Sequence, residues 1–300
     1  MHYYSLNEYL RSRFGEPVYK LSLNGGMTCP NRDGTLGTRG CIFCSGGGSG
    51  EFAASACLDI DAQIDSAKSL VIGKTKAKRF IAYFQPFTNT YADVGYLEKI
   101  FMQAVKREDI CALSIATRPD CLEAEKLELL ERLNKIKPVF VELGLQSIHK
   151  RTAQYIRRGY ELSVFDEAVS NLKSIGINVV VHLILGLPGE SREEMLQSVS
   201  YVAHSGADGI KLQLLHLLKG TDLAAEYAKK PFHILTLAEY TDLICDCIEL
   251  LPENMVVHRI TGDGDKRLLI EPQWSGNKRL VLNTINKALR ERNVIQGRRF

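Results

Sequence analysis

Three cysteines, Cys29, Cys41 and Cys44, have the residue type and the spacing to bind a metal. Eleven residues separate the first two and two separate the second pair, in a glycine-rich stretch that follows the strand-like run 18–23. Three thiolates can hold a cubane iron–sulfur cluster, but such a cluster contains four irons. One iron would lack a protein ligand, and an open iron favours chemistry over simple electron storage.

A structural zinc site is the alternative interpretation of the same cysteines. Zinc needs four ligands, so Cys57 or a histidine would have to complete the set. Structural zinc sites usually show two close cysteine pairs, and here Cys41 with Cys44 is the single pair of that kind. The iron–sulfur interpretation is therefore favoured. The remaining cysteines are predicted to be core or incidental positions: Cys57, Cys111, Cys121, Cys245 and Cys247.

The elements that must position these cysteines alternate between strand and helix along the chain. Runs rich in β-branched and aromatic residues predict strands at 18–24, 79–86, 111–118, 139–146, 178–185 and 209–216. Apolar residues at helical spacing lie between them. Capping boxes are predicted at Ser163 with Asp166 and at Ser191 with Glu194. Six βα units in succession predict a parallel sheet that either closes toward a barrel or stays open and doubly wound.

The C-terminal part of the chain does not continue the alternation of strand and helix in the same way. Helical patterns at 236–251 and 276–292 flank a strand-like run at 255–260. We interpret residues 231–300 as an extension packed on a barrel formed by residues 1–230, rather than as an independent domain.

Polar clusters follow each of the six predicted strands, where sites form in parallel α/β folds. Taken singly these clusters are weak signals: Gly-Leu-Pro-Gly at 186–189 is usually a turn, and His182 in an apolar strand is usually a core residue. Their shared position at one rim is harder to explain by chance. The clusters are the cysteine loop, 85–91, 117–120, 144–147, His182 with 186–190, and His216.

Charge is distributed unevenly. The chain carries a net +3, yet residues 251–300 hold ten Lys/Arg against five Asp/Glu. A basic tail on a near-neutral body can attract phosphate backbones, although a solvated surface helix explains the same charges. The N-terminus has no signal-peptide pattern, and the most apolar stretch, 179–187, is too short to span a bilayer. These features predict a cytoplasmic protein without a membrane partner.

With the cysteine loop and the strand-end clusters in place, the chain resembles the radical S-adenosylmethionine (SAM) superfamily. The long first cysteine spacing, which begins with Cys-Pro-Asn-Arg-Asp-Gly-Thr at 29–35, matches a branch of about 300 residues. That branch is similar to the catalytic subunit of Elongator and to oxygen-independent coproporphyrinogen dehydrogenases. The resemblance covers essentially the whole chain, with matching stretches at 84–85 with 88–91, 117–121, 141–147, 182–190, and 215–216 with 219–221.

The resemblance implies an α/β fold, a partial (β/α)6 TIM-like barrel of parallel strands with a C-terminal extension. It implies a [4Fe–4S] cluster on Cys29, Cys41 and Cys44, with SAM chelating the fourth iron. Reduction by a donor such as flavodoxin or ferredoxin would cleave SAM to methionine and a 5′-deoxyadenosyl radical that takes hydrogen from the substrate.

Roles for further residues follow from the same resemblance. Phe43 would pack on the adenine, and the backbone from Gln85 to Asn89 would accept hydrogen bonds from the SAM ammonium group. Arg158, or Arg157 on charge alone, would pair with the SAM carboxylate. Gln146 and His182 would bind the ribose hydroxyls, although the related dehydrogenases have an acidic residue in place of His182. Arg118 is predicted to join this cofactor-binding set.

The substrate is specified less directly. The segments 257–265 and 272–279 could form the lower lip of the site or a packed cap, and they supply His258, Arg259, Lys278 and Arg279 as candidate substrate residues. The Elongator likeness and the basic tail favour tRNA, with a radical change to a carboxymethylaminomethyl-type group on the wobble uridine. A radical oxidoreductase acting on a small molecule or peptide, and a non-catalytic iron–sulfur protein, are the alternatives. The sequence shows no second cysteine cluster and no cobalamin-binding motif.

Overall fold

The fold of the chain is given by a computed structural model, which describes residues 2–48, 50, 53–73, 75–262 and 264–300. Its main element is a sheet in which seven described strands run parallel, in the order β1-β2-β3-β4-β5-β6-β8. These strands are β1 (Val18–Leu23), β2 (Arg79–Phe84), β3 (Ile110–Thr117), β4 (Val139–Gln146), β5 (Asn178–Leu185), β6 (Gly209–Leu214) and β8 (Val256–Arg259).

Helices on the outside of this sheet connect successive strands, as βαβ units require. The described helices are α1 (Leu6–Phe14), α2 (Ile60–Val71), α3 (Val94–Lys106), α4 (Ala124–Ile136), α5 (Lys150–Tyr155), α6 (Leu162–Ser174), α7 (Arg192–His204), α8 (Asp222–Lys229), α9 (Leu237–Glu249) and α10 (Lys278–Glu291). A short antiparallel pair, β7 (Leu217–Leu218) with β9 (Leu269–Glu271), and 3-10 turns at Pro119–Cys121 and Gln273–Gly276 complete the described elements.

The prediction of a partial TIM-like barrel is confirmed, and the sheet gains a seventh strand. The run predicted as strand-like at 255–260 forms β8 and pairs in parallel with β6, so a strand from the predicted C-terminal extension completes the sheet. The division of the chain at residue 230 stays a prediction.

Side chains along each strand point alternately to the two faces of the sheet. One face packs against the helices as an outer core, and the other faces the barrel interior. On β4, Val139, Val141 and Leu143 pack with helix side chains in the outer core. Phe140 and Glu142 alternate with them and face inward, since successive residues of a strand point to opposite faces. The interior side chains therefore lie in successive layers along the strands.

The layer farthest from the strands' carboxyl ends is apolar and is closed by α1. Leu10 of this helix packs on Ile81, Ala112, Phe140 and Val180 from four different strands. The first residues of the chain also reach the open edge of the sheet, because the Val257 amide donates to the Tyr4 carbonyl at 2.8 Å. This helix therefore forms the floor of the barrel.

One predicted helix start is wrong. The capping box at Ser163 and Asp166 does not form, because α6 begins at Leu162 and its N-cap is Glu161. Ser163 therefore lies inside the first turn. The capping box at Ser191 and Glu194 is confirmed, with both reciprocal hydrogen bonds present at the start of α7.

Candidate active site

The cysteine loop follows β1 and folds back over the carboxyl ends of the strands. Cys29, Cys41 and Cys44 all line one cavity of about 240 Å³ that opens into the barrel. Within the loop, the Cys44 amide donates to the Cys41 carbonyl at 2.9 Å, and Arg32 donates to the carbonyls of Cys44 at 3.1 Å and Ser45 at 2.6 Å. These bonds hold the loop so that all three cysteines line the same cavity.

Gly40 permits this loop conformation. Its φ of 74° lies in the left-handed region, and a Cβ there would lie 2.9 Å from the Arg32 side chain. Asn31 fixes the loop from the other side, donating to the Cys41 sulfur at 3.4 Å and to the Arg157 carbonyl at 2.7 Å. The spacing of the cysteines is thus supported by side chains that lie between them in sequence.

The donor set fits a cluster better than a single ion. Within the described part of the chain, no three His, Cys, Asp or Glu side chains converge where one metal ion could sit. A cubane does not require such convergence, because each thiolate binds its own iron at a separate corner. Burial, and secondly the charge of Cys44, raise the pKa of the Cys41 thiol to about 11, so metal binding there must displace a proton. Cys57, the zinc alternative, is exposed and does not line the cavity.

Most of the residues predicted to hold SAM line this same cavity. The cavity wall includes Phe43, Gln85, Arg118, Gln146, Arg158 and His182. The side chain of Asn89 is not among the lining residues; its amide group donates to the carbonyls of Pro86 at 3.0 Å and Ala116 at 2.9 Å. Asn89 therefore braces the 85–89 turn from behind, whereas Gln85, Phe87 and Thr88 reach the cavity.

Gln146 has two features of a ligand-binding residue. Its φ of 69° is unusual for a residue with a side chain, and its buried Oε1 has no hydrogen-bond partner. Gly144 leaves room for it, since a Cβ there would lie 2.9 Å from the Gln146 amide nitrogen. An orphaned acceptor facing the cavity fits a hydroxyl donor from a bound ribose.

The arginines at this rim are already engaged with protein groups. Arg118 forms a paired contact with Asp120 at 2.9 and 2.7 Å. Arg158 donates to the carbonyls of Ser147 at 2.7 Å and Tyr160 at 2.9 Å. Arg157 pairs with Asp222 and lies outside this cavity. The role of Arg158 at the SAM carboxylate stays a prediction; Arg158 lines this cavity and Arg157 does not.

A charged layer lies deeper in the barrel, between the rim and the apolar floor. The Glu142 carboxylate is fully buried and accepts from Lys20 at 2.5 Å, Ser114 at 2.6 Å, His182 at 2.7 Å and also Lys211. The ammonium group of Lys211 also donates to the Tyr83 hydroxyl at 3.1 Å. Neighbouring strands from β1 to β6 each supply one member of this layer.

The electrostatics of the layer follow from its burial. Burial alone would raise the pKa of Glu142, but the charges of Lys20 and Lys211 hold it well below its usual range. Burial and the Lys211 charge lower the pKa of His182 to about 4, and burial lowers that of Lys211 to about 7 despite the Glu142 charge. His182 is therefore neutral and its hydrogen bond goes to Glu142.

The candidate substrate residues divide between two neighbouring cavities. Arg259 lines the cysteine cavity and a second cavity of about 600 Å³, which lies between β1 and β8 at the two edges of the sheet. His258 and Lys278 line the second cavity only, and Arg279 is exposed and lines neither. Asp263, in the predicted segment 257–265, lies outside the described residues.

Fewer basic side chains of the C-terminal tail are available to bind phosphate groups than its composition indicates. Arg292 contacts Asp242 and also Asp246 at 2.5 Å. Arg298 lies 3.1 Å from Glu249, and Arg299 lies 3.7 Å from Asp246. These arginines join the C-terminus to α9, and Lys287 also has an acidic neighbour, Glu291, at 3.7 Å.

Sequence reasoning missed the charged layer except for His182. A signal was present, because Lys20, Glu142 and Lys211 are charged residues inside apolar strand runs. A charge at an inward position of a buried strand requires a partner. What the sequence could not supply was the pairing, since the partners lie on strands far apart in the chain.

Comparison with known proteins matches most of this chain to two family models and to several relatives. The family model described as "Radical SAM superfamily" matches residues 34–202, and the one described as "Radical_SAM C-terminal domain" matches residues 207–291. The chain is similar to "Uncharacterized protein YtqA" of Bacillus subtilis, with 45% identity over 99% of this chain and 92% of that protein. None of the helices in the described ranges is long and apolar enough to cross a membrane.

The chain is also similar in sequence to a tRNA-modifying enzyme and in fold to a solved structure. A tRNA uridine(34) acetyltransferase of Dehalococcoides mccartyi is 27% identical, over 68% of this chain and 46% of that protein. The solved structure of archaeal Elp3 from Methanocaldococcus infernus matches with a TM-score of 0.69 at 17% identity, covering 93% of this chain and 64% of that chain. At that identity the structural likeness shows the fold alone.

Proposed function

The chain belongs to the radical SAM superfamily, and from that premise we propose that it modifies the wobble uridine of tRNA, acting on a side chain of the carboxymethylaminomethyl type. Radical SAM enzymes use a [4Fe–4S] cluster and SAM, which when bound supply a carbon-centred radical that takes hydrogen from the substrate. The protein's own residues must hold these groups, exclude water and position the substrate.

The first part of the proposal assigns the cofactor-binding residues. Cys29, Cys41 and Cys44 would hold the cluster, because all three residues line one cavity. Phe43 would pack on the adenine and Gln146 would accept from a ribose hydroxyl, which would give its orphaned Oε1 a partner. Arg118, Arg158 and the turn 85–88 would line the amino-acid end of SAM.

The second part of the proposal is the RNA substrate, and one observation carries it. Sequence similarity to a tRNA uridine(34) acetyltransferase extends over 68% of this chain. The second cavity between β1 and β8 adds support, because Lys278 lines it at the start of α10 and Arg279 is exposed beside it. A base turned out of an anticodon loop would enter the barrel, with its phosphates near these cations.

The proposal is tested by the nucleosides of tRNA. We expect mass spectrometry of tRNA from a strain without the gene to show an altered wobble uridine, and anaerobically reconstituted protein with SAM and a reductant to restore it in vitro. A Cys41→Ala variant prepared in the same way serves as the control. Identical nucleoside profiles with and without the gene would remove the proposal.

A radical oxidoreductase acting on a small molecule or peptide is the second candidate. It is favoured by the acidic neighbours of Arg292, Arg298 and Arg299, which reduce the basic surface available to RNA. The two candidates differ in their dependence on salt. Binding of tRNA should weaken steeply as salt rises, because phosphate contacts release counterions, whereas a small uncharged substrate would show little change.

A further inference from the structure

The charged layer around Glu142 has more positive than negative groups. Two ammonium groups, those of Lys20 and Lys211, share one carboxylate, whose side chain is 0% exposed. His182 and His258 do not offset or add to this balance at neutral pH, because burial holds the pKa of both imidazoles below the usual range. No other acidic residue lines the cysteine cavity among the described residues.

From this imbalance we propose that Lys211 and Lys20 form an anion subsite for a carboxylate of the substrate. The inference rests on the proposed function in one respect, namely that the substrate enters the barrel, where Lys211 lines both cavities and Lys20 lines the second. The anion subsite adds to the proposed function that the substrate must carry a carboxylate group into the barrel.

The position of Lys211 makes it the centre of the subsite. Its side chain is 6% exposed and lines both the cysteine cavity and the second cavity. Tyr83 lines both cavities as well, and its ring lies 4.8 Å from the Lys211 ammonium group. An anion that enters from either cavity would therefore reach the same ammonium group, with the Tyr83 hydroxyl beside it.

Burial explains why an anion would be held there. A buried ammonium group that shares its counterion is poorly compensated for lost hydration. Burial lowers the pKa of Lys211 to about 7, and a second carboxylate beside it would stabilise the charged form. Arg259, the register partner of Lys211 on β8, lines the same cavity.

The chemistry of the layer favours a carboxylate over a phosphate. The excess is about one positive charge, which one carboxylate neutralises and a phosphate dianion would exceed. Lys20 and Lys211 each bind one oxygen of Glu142, and they provide point charges rather than the planar fork that arginine offers to phosphate. Glu142 is already saturated with four donors, so it positions the lysines and does not bind the guest.

The subsite can be tested with a pair of small probes that differ in charge and little in shape. N-acetylglycine carries a carboxylate, and N-acetylglycinamide replaces it with a neutral amide. On the anaerobically reconstituted holoenzyme with SAM, calorimetric titration should show the acid binding about 10- to 100-fold more tightly than the amide, the range expected for a hydrogen bond to a charged group. Equal affinities in the unmodified enzyme would overturn the subsite.

Variants identify the lysine responsible. Lys211→Met should remove the preference for the acid, and Lys211→Arg should keep most of it. Lys229→Met, at an exposed lysine on α8, is the matched control and should bind both probes as the unmodified enzyme does. If Lys211→Met keeps its melting temperature and still prefers the acid, the assignment of Lys211 is wrong.

A second pair of probes separates this inference from the proposed function. 5-Carboxymethylaminomethyluridine and its carboxamide add the uridine to the same charge difference. Preference for the acid in both pairs, with tighter binding of the nucleoside, supports both proposals. If the acid is preferred in the small pair but the uridine adds no affinity, the subsite stands and the wobble-uridine substrate is contradicted.

Discussion

Among single residues, Glu142 determines how the barrel interior is charged. It is the one carboxylate lining the cysteine cavity within the described residues, and it accepts hydrogen bonds from four strands other than its own. Removing one partner of a buried ion pair typically costs about 3–5 kcal/mol, because the other charge remains buried. Glu142 therefore couples the stability of the barrel to the position of Lys20 and Lys211.

The assignment of the cysteines gives the most direct prediction at this scale. Cys41→Ala should lower iron and sulfide content after anaerobic reconstitution and reduce 5′-deoxyadenosine formation to background, because a cubane would lose one of its three protein ligands. Cys57→Ala, at an exposed cysteine outside the cavity, should change neither quantity. Full turnover by Cys41→Ala would contradict the assignment.

The buried histidines predict how stability depends on pH. The folded protein holds the pKa of His182 at about 4, whereas an unfolded histidine titrates near 6.5. Between these values the unfolded state binds more protons, so the free energy of unfolding falls as pH decreases, by up to about 1.4 kcal/mol per pH unit for this residue. Urea unfolding at a series of pH values measures that slope.

His182→Gln should make the slope between pH 6.5 and 4 shallower, because the substituted side chain does not titrate. His233→Gln is the control, since His233 is exposed and lies outside the barrel interior. The interpretation fails if both variants keep the slope of the unmodified protein.

The limits of sequence reasoning are clearest at the residue scale. Cys29, Cys41, Cys44 and most predicted SAM-binding residues line one cavity, because strand ends in a parallel sheet meet at one rim. Asn89 follows the same rule in sequence yet points away from that cavity. The orientation of one side chain in a turn depends on local hydrogen bonds, which spacing does not encode.

Among the elements, the positions of the strands could be predicted closely from the sequence. Which strands pair with each other was predicted less well. Five of the six predicted strands begin where expected, and β3 begins one residue earlier, at Ile110. The run at 255–260 was predicted as a strand of an extension, and it joins the main sheet beside β6. Hydrophobic alternation in the sequence predicts that a segment forms a strand. It does not predict which strand lies beside it, because that depends on how distant parts of the chain close the sheet.

Helix α1 shows how an element outside the βα repeat stabilises the barrel. Leu10 is 3% exposed and fills the interior end that the strands leave open. We expect Leu10→Ala to lower the free energy of unfolding by about 2–5 kcal/mol, as for other large-to-small core substitutions. Urea unfolding of Leu10→Ala and of Arg11→Ala, an exposed neighbour on the same helix, provides the comparison. A loss below about 1 kcal/mol would show that α1 does not close the floor.

At the scale of the whole molecule, the basic residues of the C-terminal region fall into two groups. Arg292, Arg298 and Arg299 contact acidic residues of α9 and hold the end of the chain against the body. Arg279 lies at the start of α10, next to Lys278 and the second cavity. Composition alone could not separate these groups, because it counts charges without their neighbours.

This division predicts two different results in a tRNA-binding assay. Arg279→Ala should weaken binding and reduce the slope of log affinity against log salt by about 1, as expected for one lost phosphate contact. Arg292→Ala should leave that slope unchanged and slightly lower thermal stability, because an exposed ion-pair network contributes little. Equal slopes for Arg279→Ala and the unmodified protein would exclude Arg279 from the RNA contact.

The layered interior also sets a distance. Four residue steps along β4 lead from Glu142 in the charged layer to Gln146 at the cysteine rim, which corresponds to at most about 13 Å because the strand is irregular at Gln146. A molecule anchored by its anion at the inner layer can present only one of its carbons at the rim. Adding or removing one methylene between anchor and reacting carbon would bring a different atom to that level, so with the proposed subsite the barrel would select its target by reach as well as by charge.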